Sequence, residues 1–252
     1  MSEHFQPTIL RFDSIDSTNL EAMRRARTGA AEGLCIIARQ QTDGRGRQGR
    51  RWLSPKDAGL NFTTLLRPRI EMGGWPLITL MSALAVADTL KDTCRLAVDI
   101  KWPNDLIVDE RKLCGILCET VDTGAGFAVV VGIGINLYVG SIPIELSGTA
   151  TSVERETGSK PDFELVLKEL LNAIAGRYAE LQSEKGNDLT IREWCSRSSY
   201  AKNKPVRVES AAEVFAGVTD GLEADGALRV VLQTGEVKVV RAGDVESLRV
   251  SV

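Results

Sequence analysis

Four arginines and three glycines share one nine-residue stretch, GRGRQGRRW, from Gly44 to Trp52. Glycines let backbone amides approach a ligand closely, and arginines supply a permanent positive charge with paired hydrogen-bond donors. The stretch therefore predicts a loop that orders around an anionic ligand, with Trp52 as its one apolar anchor. The alternative is a solvated basic loop without a ligand, which is what most short basic runs are.

The first six residues of this stretch also fit the dinucleotide fingerprint G-x-G-x-x-G. That fingerprint needs a strand before it and a helix after it. LCIIARQ at residues 34–40 predicts the strand, but a proline, a glycine and an alternating run follow the loop, so no helix is predicted there. A Walker A loop is excluded too, because Arg50 and Arg51 stand where it needs Lys and Ser or Thr.

A second cluster, KWPND at residues 101–105, places a lysine at the entry of a proline turn that ends in a carboxylate. Turn formation alone explains the proline, asparagine and aspartate. It does not explain Lys101 before the turn, or Lys112 seven residues after Asp105. Two lysines and a carboxylate at adjoining strand ends are typical of a phosphate and cation site.

The segment DSTNLEAMRRARTG predicts a helix with a polar N-terminus. Thr18 and Glu21 fit a capping box, and Gly29 fits the C-terminal stop. Ser17, Thr18 and Asn19 are therefore expected at a helix N-terminus, where free amides and the helix dipole favour an anion. Capping alone explains these residues equally well.

Composition limits the class of protein. The 252 residues are 43% hydrophobic and 26% charged, as in a folded globular protein, and the net charge of −3 does not suit a polyanion-binding surface. No apolar run approaches the roughly 18 residues of a membrane span and no signal peptide is present, so a cytoplasmic location is expected. The single histidine, His4, argues against a Ser-His-Asp triad. The five cysteines are expected to be reduced core thiols, since Cys114 and Cys118 alone are weak evidence for zinc.

The remaining pattern predicts an α+β fold, a mixed sheet backed by helices. Strands are predicted at 34–40, 61–66 and 126–137, a strand series joined by tight turns at 97–121, and helices at 76–93, 163–182 and 188–198. From Pro205, five short alternating strands predict a small SH3-like barrel that docks on the first domain. We expect a catalytic domain over residues 1–202 and a barrel domain over residues 203–252.

Five sequence blocks occur in the order and with the spacing of a biotin protein ligase, and the chain resembles that family. The blocks are DSTN at 16–19, QTDGRGRQGRRW at 41–52, KWPNDL at 101–106, RKLCGILCE at 111–119 and GIGINL at 132–137. The resemblance covers nearly the whole chain and implies a class II synthetase-like catalytic fold with an SH3-like C-terminal barrel. It implies that biotin and MgATP give biotinyl-5′-adenylate, and that biotin then passes to one lysine of a biotin carboxyl carrier protein.

The resemblance also implies residue roles, with GRGRQGRRW as the loop over biotin and the adenylate. Biotin and acyl contacts are expected from Ser17, Thr18, Asn19, Gln41, Gly44, Arg45, Arg47, Lys112 and Gly115. Nucleotide contacts are expected from Arg47, Arg50, Trp52, Lys101, Asn104, Ile116, Asn136 and Arg249. Arg45, Arg47 and Lys112 would stabilise the negative charge that builds up on the phosphate. Asp105 would help to hold Mg²⁺.

Some family members also carry an N-terminal winged helix that binds DNA. Because DSTN begins at Asp16, we expect a ligase without repressor activity, a monomer or homodimer with no DNA or membrane partner. Asp43 departs from the small residue of many relatives and adds a negative charge beside the loop. Two alternatives stay open: a lipoate ligase or octanoyltransferase of the same fold, and a nucleic-acid-binding module, which the acidic balance disfavours.

Overall fold

The central element is a seven-stranded mixed sheet. The computed structural model describes residues 5–53, 55–210 and 213–248. The sheet's strands are β1 (Thr8–Phe12), β2 (Leu34–Ala38), β3 (Leu60–Leu66), β4 (Asp99–Lys101), β5 (Asp105–Val108), β6 (Arg111–Asp122) and β7 (Phe127–Ile135). Their order is β1-β2-β3-β7-β6-β5-β4, in which β1 and β2 are parallel and all other neighbours are antiparallel. The predicted mixed sheet is confirmed.

Helices cover the two faces of this sheet unequally. They are α1 (Thr18–Arg27), α2 (Leu77–Cys94), α3 (Val153–Thr157), α4 (Phe163–Leu181) and α5 (Gly186–Arg197). Twelve of the 18 residues of α2 are buried, which confirms it as a central helix between the sheet and α4. On the opposite face, α1 packs its Met23 against Ile36, Leu65 and Val130 at one end of the sheet. The rest of that face is left for a pocket.

No helix within the described ranges is long and apolar enough to span a membrane. The long amphipathic helix predicted after Asp162 is present as α4, whose N-terminus Asp162 caps by accepting hydrogen bonds from two backbone amides. Asp162 Oδ1 lies 2.9 Å from Glu164 N and 3.1 Å from Leu165 N. Helix α3 and four short 3-10 segments were not predicted, because runs of three to five residues carry too little periodicity to detect.

The predicted capping box of α1 is wrong. The N-cap is Ser17, not Thr18, and its Oγ lies 3.5 Å from Leu20 N. Glu21 instead forms ion pairs with Arg24 and Arg25, three and four residues further along the helix, which is about one turn. Since both serine and threonine cap helices well, the sequence alone does not fix which of two adjacent candidates takes that position.

A second, five-stranded antiparallel sheet forms the C-terminal part of the chain, consistent with the small barrel predicted there. Its strands are β8 (Lys202–Glu209), β9 (Val214–Leu222), β10 (Leu228–Val231), β11 (Val237–Val240) and β12 (Asp244–Ser247), in the order β11-β10-β9-β8-β12. The last strand begins two residues before the predicted ESLRV, because Asp244 pairs with Glu209 of β8. The division at residue 202 stays a prediction, and both Arg249 and His4 lie outside the described residues.

The C-terminal sheet docks on the first unit through shared core and specific polar contacts. Val206, Leu228 and Val245 belong to the same buried cluster as α2 and the central sheet. Trp102 Nε1 donates to Gly226 O at 3.0 Å, and Glu110 accepts from Lys204 Nζ at 2.9 Å. The barrel is therefore packed against the KWPND turn and the β5–β6 turn, as the docking prediction expects.

An ion-pair network joins α2, α4 and α5 behind the sheet. Arg177 of α4 lies 2.7 Å from Asp88 Oδ2 of α2 and 2.8 Å from Glu193 Oε1 of α5, and Arg197 contacts both carboxylates. The arginine is 17% exposed in its side chain. Burial raises the pKa of Asp88, but the hydrogen bonds from Arg197 and Arg177 outweigh it and the net pKa is lowered. The Arg177 hydrogen bond is the main cause that lowers the pKa of Glu193.

Replacing this arginine is expected to destabilise the fold in a pH-dependent way. Arg177→Ala leaves two partly buried carboxylates short of a partner and should lower the free energy of unfolding by about 2 kcal/mol at pH 7. Both carboxyl pKa values are lowered in the folded state, so the stabilisation is present above their ordinary values of 3.8 and 4.5 and is lost as the pH falls through the folded values.

Denaturant melts of wild type and Arg177→Ala at pH 7 and pH 3 measure the difference in their free energies of unfolding. This difference should be smaller at pH 3 than at pH 7. The matched control is Arg11→Ala, whose exposed pair with Glu164 should contribute less than about 1 kcal/mol. A gap that is unchanged between the two pH values would contradict the assignment.

Candidate active site

The pocket has a floor without side chains at the centre of the sheet. Gly115 of β6 pairs directly with Gly134 of β7, and Leu117 pairs with Gly132. By strand alternation these residues face the same side as α1. The indole of Trp52 lies on this floor: a Cβ added at Gly134 would be 2.4 Å from Trp52 Cε2, and one at Gly115 would be 3.3 Å from Trp52 Cζ3. Glycine at 134 is therefore required by close contact with the ring.

The arginine loop folds back over this floor. Residues Arg45 and Arg51 form an isolated antiparallel bridge, and Trp52 N donates to Gly44 O at 2.8 Å. Gly44 is buried, and a Cβ there would lie 2.4 Å from the carbonyl oxygen of Trp52. Between them lies one 3-10 turn, Arg47–Gly49, and the next helix or strand in the described part of the chain is strand β3. The rejection of the dinucleotide fingerprint is confirmed.

The tip of the loop is fastened to the KWPND turn and to the barrel. Arg47 donates to Asn104 Oδ1 at 3.2 Å and to Gly243 O at 3.2 Å, and Arg50 pairs with Asp244 of β12. Burial lowers the pKa of Arg47, an effect that the charge of Asp105 opposes. The expectation that Trp52 alone would anchor the loop is wrong, since residues 104, 243 and 244 also hold it. These partners are distant from the loop in sequence, so no local pattern indicated them.

Lys112 and Asp105 form an ion pair at the opposite wall. Lys112 Nζ lies 2.7 Å from Asp105 Oδ1 and 5.9 Å from the centre of the Trp52 ring. The pairing of β5 with β6 brings the two residues together, as the KWPND pattern predicts. Lys101 does not join them. Its ammonium lies 5.6 Å over the ring of Tyr200, outside the pocket, because β4 directs it toward the segment before the barrel.

A chain of polar side chains closes the end of the pocket beside α1. Gln41 Oε1 accepts from Thr18 N at 2.8 Å, and Gln41 Nε2 lies 3.3 Å from Asn61 Oδ1. Trp52 Nε1 donates to the same asparagine oxygen at 3.3 Å. Thr63 Oγ1 lies 2.8 Å from Thr18 Oγ1. These contacts place neutral donors and acceptors on the α1 side of the pocket.

Most of the predicted site residues converge on this pocket. The lining contains Ser17, Thr18, Asn19, Gln41, Arg45, Arg47, Arg50, Trp52, Asn104, Asp105, Lys112, Gly115 and Ile116. Lys101 and Asn136 are not part of it. Asn136 is buried and donates from Nδ2 to Thr151 O at 3.1 Å, so its amide is engaged by the backbone. Gly44, the first residue of the loop, does not line the pocket.

Other lining residues were not named among the site contacts, although Gly46 and Arg51 belong to the predicted loop. They are Gly46, Arg51, Phe62, Leu117, Gly132, Ile133, Gly134 and Asp244. The alternating glycines of GIGINL were a signal for the floor, since glycine inside a strand often marks close approach of another group. Nothing in the sequence near Asp244 indicates that it reaches the loop. Asp43 is exposed, 3.9 Å from Arg51, and does not line the pocket.

Metal-binding capacity in the site is limited to single carboxylates. Within the described ranges no three His, Cys, Asp or Glu side chains converge. Burial raises the pKa values of the Cys114 and Cys118 thiols, that of Cys118 to about 12, so both are neutral core thiols. Mg²⁺ is usually held by one or two carboxylates together with substrate phosphates. Asp105, which lines the pocket beside Lys112, fits that mode of binding.

Comparisons with known proteins agree with this site. The family described as "Biotin/lipoate A/B protein ligase family" matches residues 11–136. The chain is 36% identical over 223 residues to the biotin–[acetyl-CoA-carboxylase] ligase of Paracoccus denitrificans, covering 84% of this chain and 90% of the relative. It is 32% identical over 239 residues to the bifunctional ligase/repressor BirA of Bacillus spizizenii, covering 93% and 72%. The biotin protein ligase from Aquifex aeolicus in complex with biotin and ATP superimposes with a TM-score of 0.83 at 27% identity, covering 98% and 100%.

These matches define an enzyme class, the protein ligases that attach a biotin-type or lipoate-type acyl group. The chain belongs to the biotin/lipoate A/B protein ligase family and, within it, is a biotin protein ligase. The names of the relatives decide between the two acyl groups in favour of biotin.

The glycine floor gives a direct test of the nucleotide role predicted for Trp52. Gly134→Ala places a methyl group 2.4 Å from the indole and must displace the ring or the strand. We expect the Michaelis constant for ATP to rise roughly 5- to 140-fold, since overpacking of this kind costs about 1–3 kcal/mol. The control is Gly176→Ala in α4, where a Cβ meets nothing within 4 Å. Equal ATP constants in Gly134→Ala and wild type would contradict the role of the ring.

Proposed function

We propose that this biotin protein ligase activates biotin with MgATP as biotinyl-5′-AMP and transfers biotin to one lysine of a biotin carboxyl carrier protein. The observation that carries the proposal is the concentration of cations over the glycine floor. The lining cations are Arg45, Arg47, Arg50, Arg51 and Lys112. Such a site suits a ligand that brings a carboxylate and phosphates together. The Paracoccus relative, named for acetyl-CoA carboxylase, supports the choice of acceptor.

In the first step the biotin carboxylate attacks the α-phosphorus of ATP, and pyrophosphate leaves. Negative charge builds on the phosphate oxygens, and fixed cations stabilise it most where water is excluded. Arg47 is suited to this because it is half-buried and held by Asn104 and Gly243. Lys112 supplies a second positive charge from the opposite wall. Mg²⁺, held with the help of Asp105, would neutralise phosphate charge when bound.

The role of Asn104 differs from that of a simple nucleotide contact. Its Nδ2 donates to Ile116 O at 2.8 Å, and its Oδ1 accepts from Arg47. The amide therefore connects the loop to β6 and orients the guanidinium. We assign Asn104 to positioning Arg47, and Trp52 to stacking against the nucleotide.

In the second step the acceptor lysine attacks the acyl carbon of the mixed anhydride, and AMP leaves. Its amine must be neutral, although an unperturbed lysine titrates near a pKa of about 10.4. Desolvation at the docked interface lowers that pKa, and Asp105 is a carboxylate of the pocket lining, paired with Lys112. We propose that these two effects together remove the proton.

Removing the loop arginine tests the first step. Arg47→Ala should slow biotin-dependent adenylate formation by roughly 100-fold or more, as loss of a charge-stabilising donor does in other enzymes, and should speed loss of the intermediate. A single-turnover time course of enzyme-bound biotinyl-AMP measures both its formation and its loss. Arg207→Ala, an exposed arginine on the barrel, is the control and should react as wild type. Normal formation and retention by Arg47→Ala would refute the assignment of the loop.

Acceptor transfer tests the whole proposal. An isolated biotin carboxyl carrier domain should gain the mass of one biotinyl group in the presence of the enzyme, biotin and MgATP. A carrier with its target lysine replaced by arginine should gain none. Transfer of lipoate but not biotin to the carrier would overturn the proposed substrate. Absence of repressor activity, a cytoplasmic location and the oligomeric state stay predictions from the sequence.

A further inference from the structure

Glu119 carries a carboxylate that the two proposed reaction steps do not use. Glu119 lies on β6, on the same face as Gly115 and Leu117, but it does not line the pocket. Its Oε1 is 3.0 Å from a terminal nitrogen of Arg45, and its Oε2 accepts from Asn19 Nδ2 at 2.9 Å. A single side chain therefore links the first arginine of the loop to helix α1.

The Asn19 end of this link is rigid. Asn19 is 4% exposed, donates from Nδ2 to Leu117 O at 3.1 Å as well as to Glu119, and accepts from Thr63 Oγ1 at 2.7 Å. A Cβ at Gly132 would be only 2.2 Å from its Oδ1, so the amide is closely packed. Both the oxygen and the nitrogen of the Asn19 side-chain amide are thus hydrogen-bonded within the protein. The residue supports Glu119, and the role of a direct biotin contact fits it less well than it fits Thr18.

The Arg45 end is not rigid without Glu119. The arginine side chain is 40% exposed, and a long side chain loses rotamer entropy when it is held in one place. A carboxylate beside an anion site opposes the ligand electrostatically. Its presence is favourable overall only if it fixes the guanidinium where the ligand needs it, so that less ordering remains when the ligand binds.

We propose that Glu119 is a positioning residue that holds Arg45 over the acyl-phosphate group of the intermediate. The inference rests on the proposed function, which gives Arg45 a contact with the acyl-adenylate. Asp244 performs the corresponding task for Arg50 from the barrel. The loop is accordingly held by one carboxylate from the sheet and one from the barrel, and each carboxylate acts on a different arginine.

The test compares Glu119→Gln with wild type. The amide oxygen of Gln can still accept from Asn19, but the ion pair with Arg45 is lost. We expect preformed biotinyl-AMP to be lost up to about fivefold faster, because the lost ion pair is partly exposed and such pairs contribute modestly. The Michaelis constant for MgATP should change less than about twofold, since the arginines at 47 and 50 keep their partners. Glu119→Asp, too short to reach both partners, should lose the intermediate faster than wild type as well.

A double-mutant cycle separates positioning from a structural effect. If Glu119 acts through Arg45, then Glu119→Gln has no further effect in the Arg45→Ala background. A loss that persists in that background would show that the substitution acts through Asn19 and the fold, and would overturn the proposal. Glu164→Gln, which removes the exposed carboxylate paired with Arg11, is the matched control and should retain the adenylate as wild type does.

Failure of this inference and failure of the proposed function give different results. A wild-type chain that forms no biotinyl-AMP would refute the proposed function, and with it the role given to Arg45. A wild type that forms and retains the intermediate, together with a Glu119→Gln variant that retains it equally long, would refute the positioning role alone.

Discussion

The close contact between the indole ring of Trp52 and two paired glycines of adjacent strands is the constraint on which the site depends. Gly115 and Gly134 pair with each other across β6 and β7, and a Cβ at Gly134 would lie only 2.4 Å from Trp52 Cε2. Because Trp52 ends the arginine loop, seating the ring fixes the loop's C-terminal side over the sheet. The opposite side of the loop is then directed by backbone pairing between Arg45 and Arg51. A single packing contact thereby places several cations above one floor.

Cations brought this close together repel one another, and the fold offsets that repulsion with carboxylates. Asp105 pairs with Lys112 in the pocket lining, and Asp244 pairs with Arg50 from the barrel. Each carboxylate orients its partner while the lining keeps an excess of positive charge for an anionic ligand. Since one of these carboxylates comes from β12, the C-terminal sheet completes the site, and its docking on the KWPND turn is part of how the pocket is built.

Local patterns predicted much of this molecule, and contacts between distant segments account for what they missed. The arginine loop, the KWPND turn and the apolar strands are visible in short windows of sequence, and the structure contains them. Lys101 was expected in the site because it enters the KWPND turn at a strand end that adjoins the strand of Lys112, yet its neighbour in space is Tyr200. Asp244 reaches a loop about 190 residues earlier in the chain, a pairing that depends on how the barrel docks and not on any local signal.

The most direct test of the account measures pyrophosphate release from MgATP without an acceptor, with biotin, lipoate or octanoate supplied separately and the bound product identified by mass spectrometry. The site described here should release pyrophosphate with biotin only and should retain biotinyl-AMP beneath the arginine loop. Release that depends on lipoate or octanoate would contradict the substrate. Silence with all three would contradict the claim that the cations over the glycine floor serve acyl-adenylate formation.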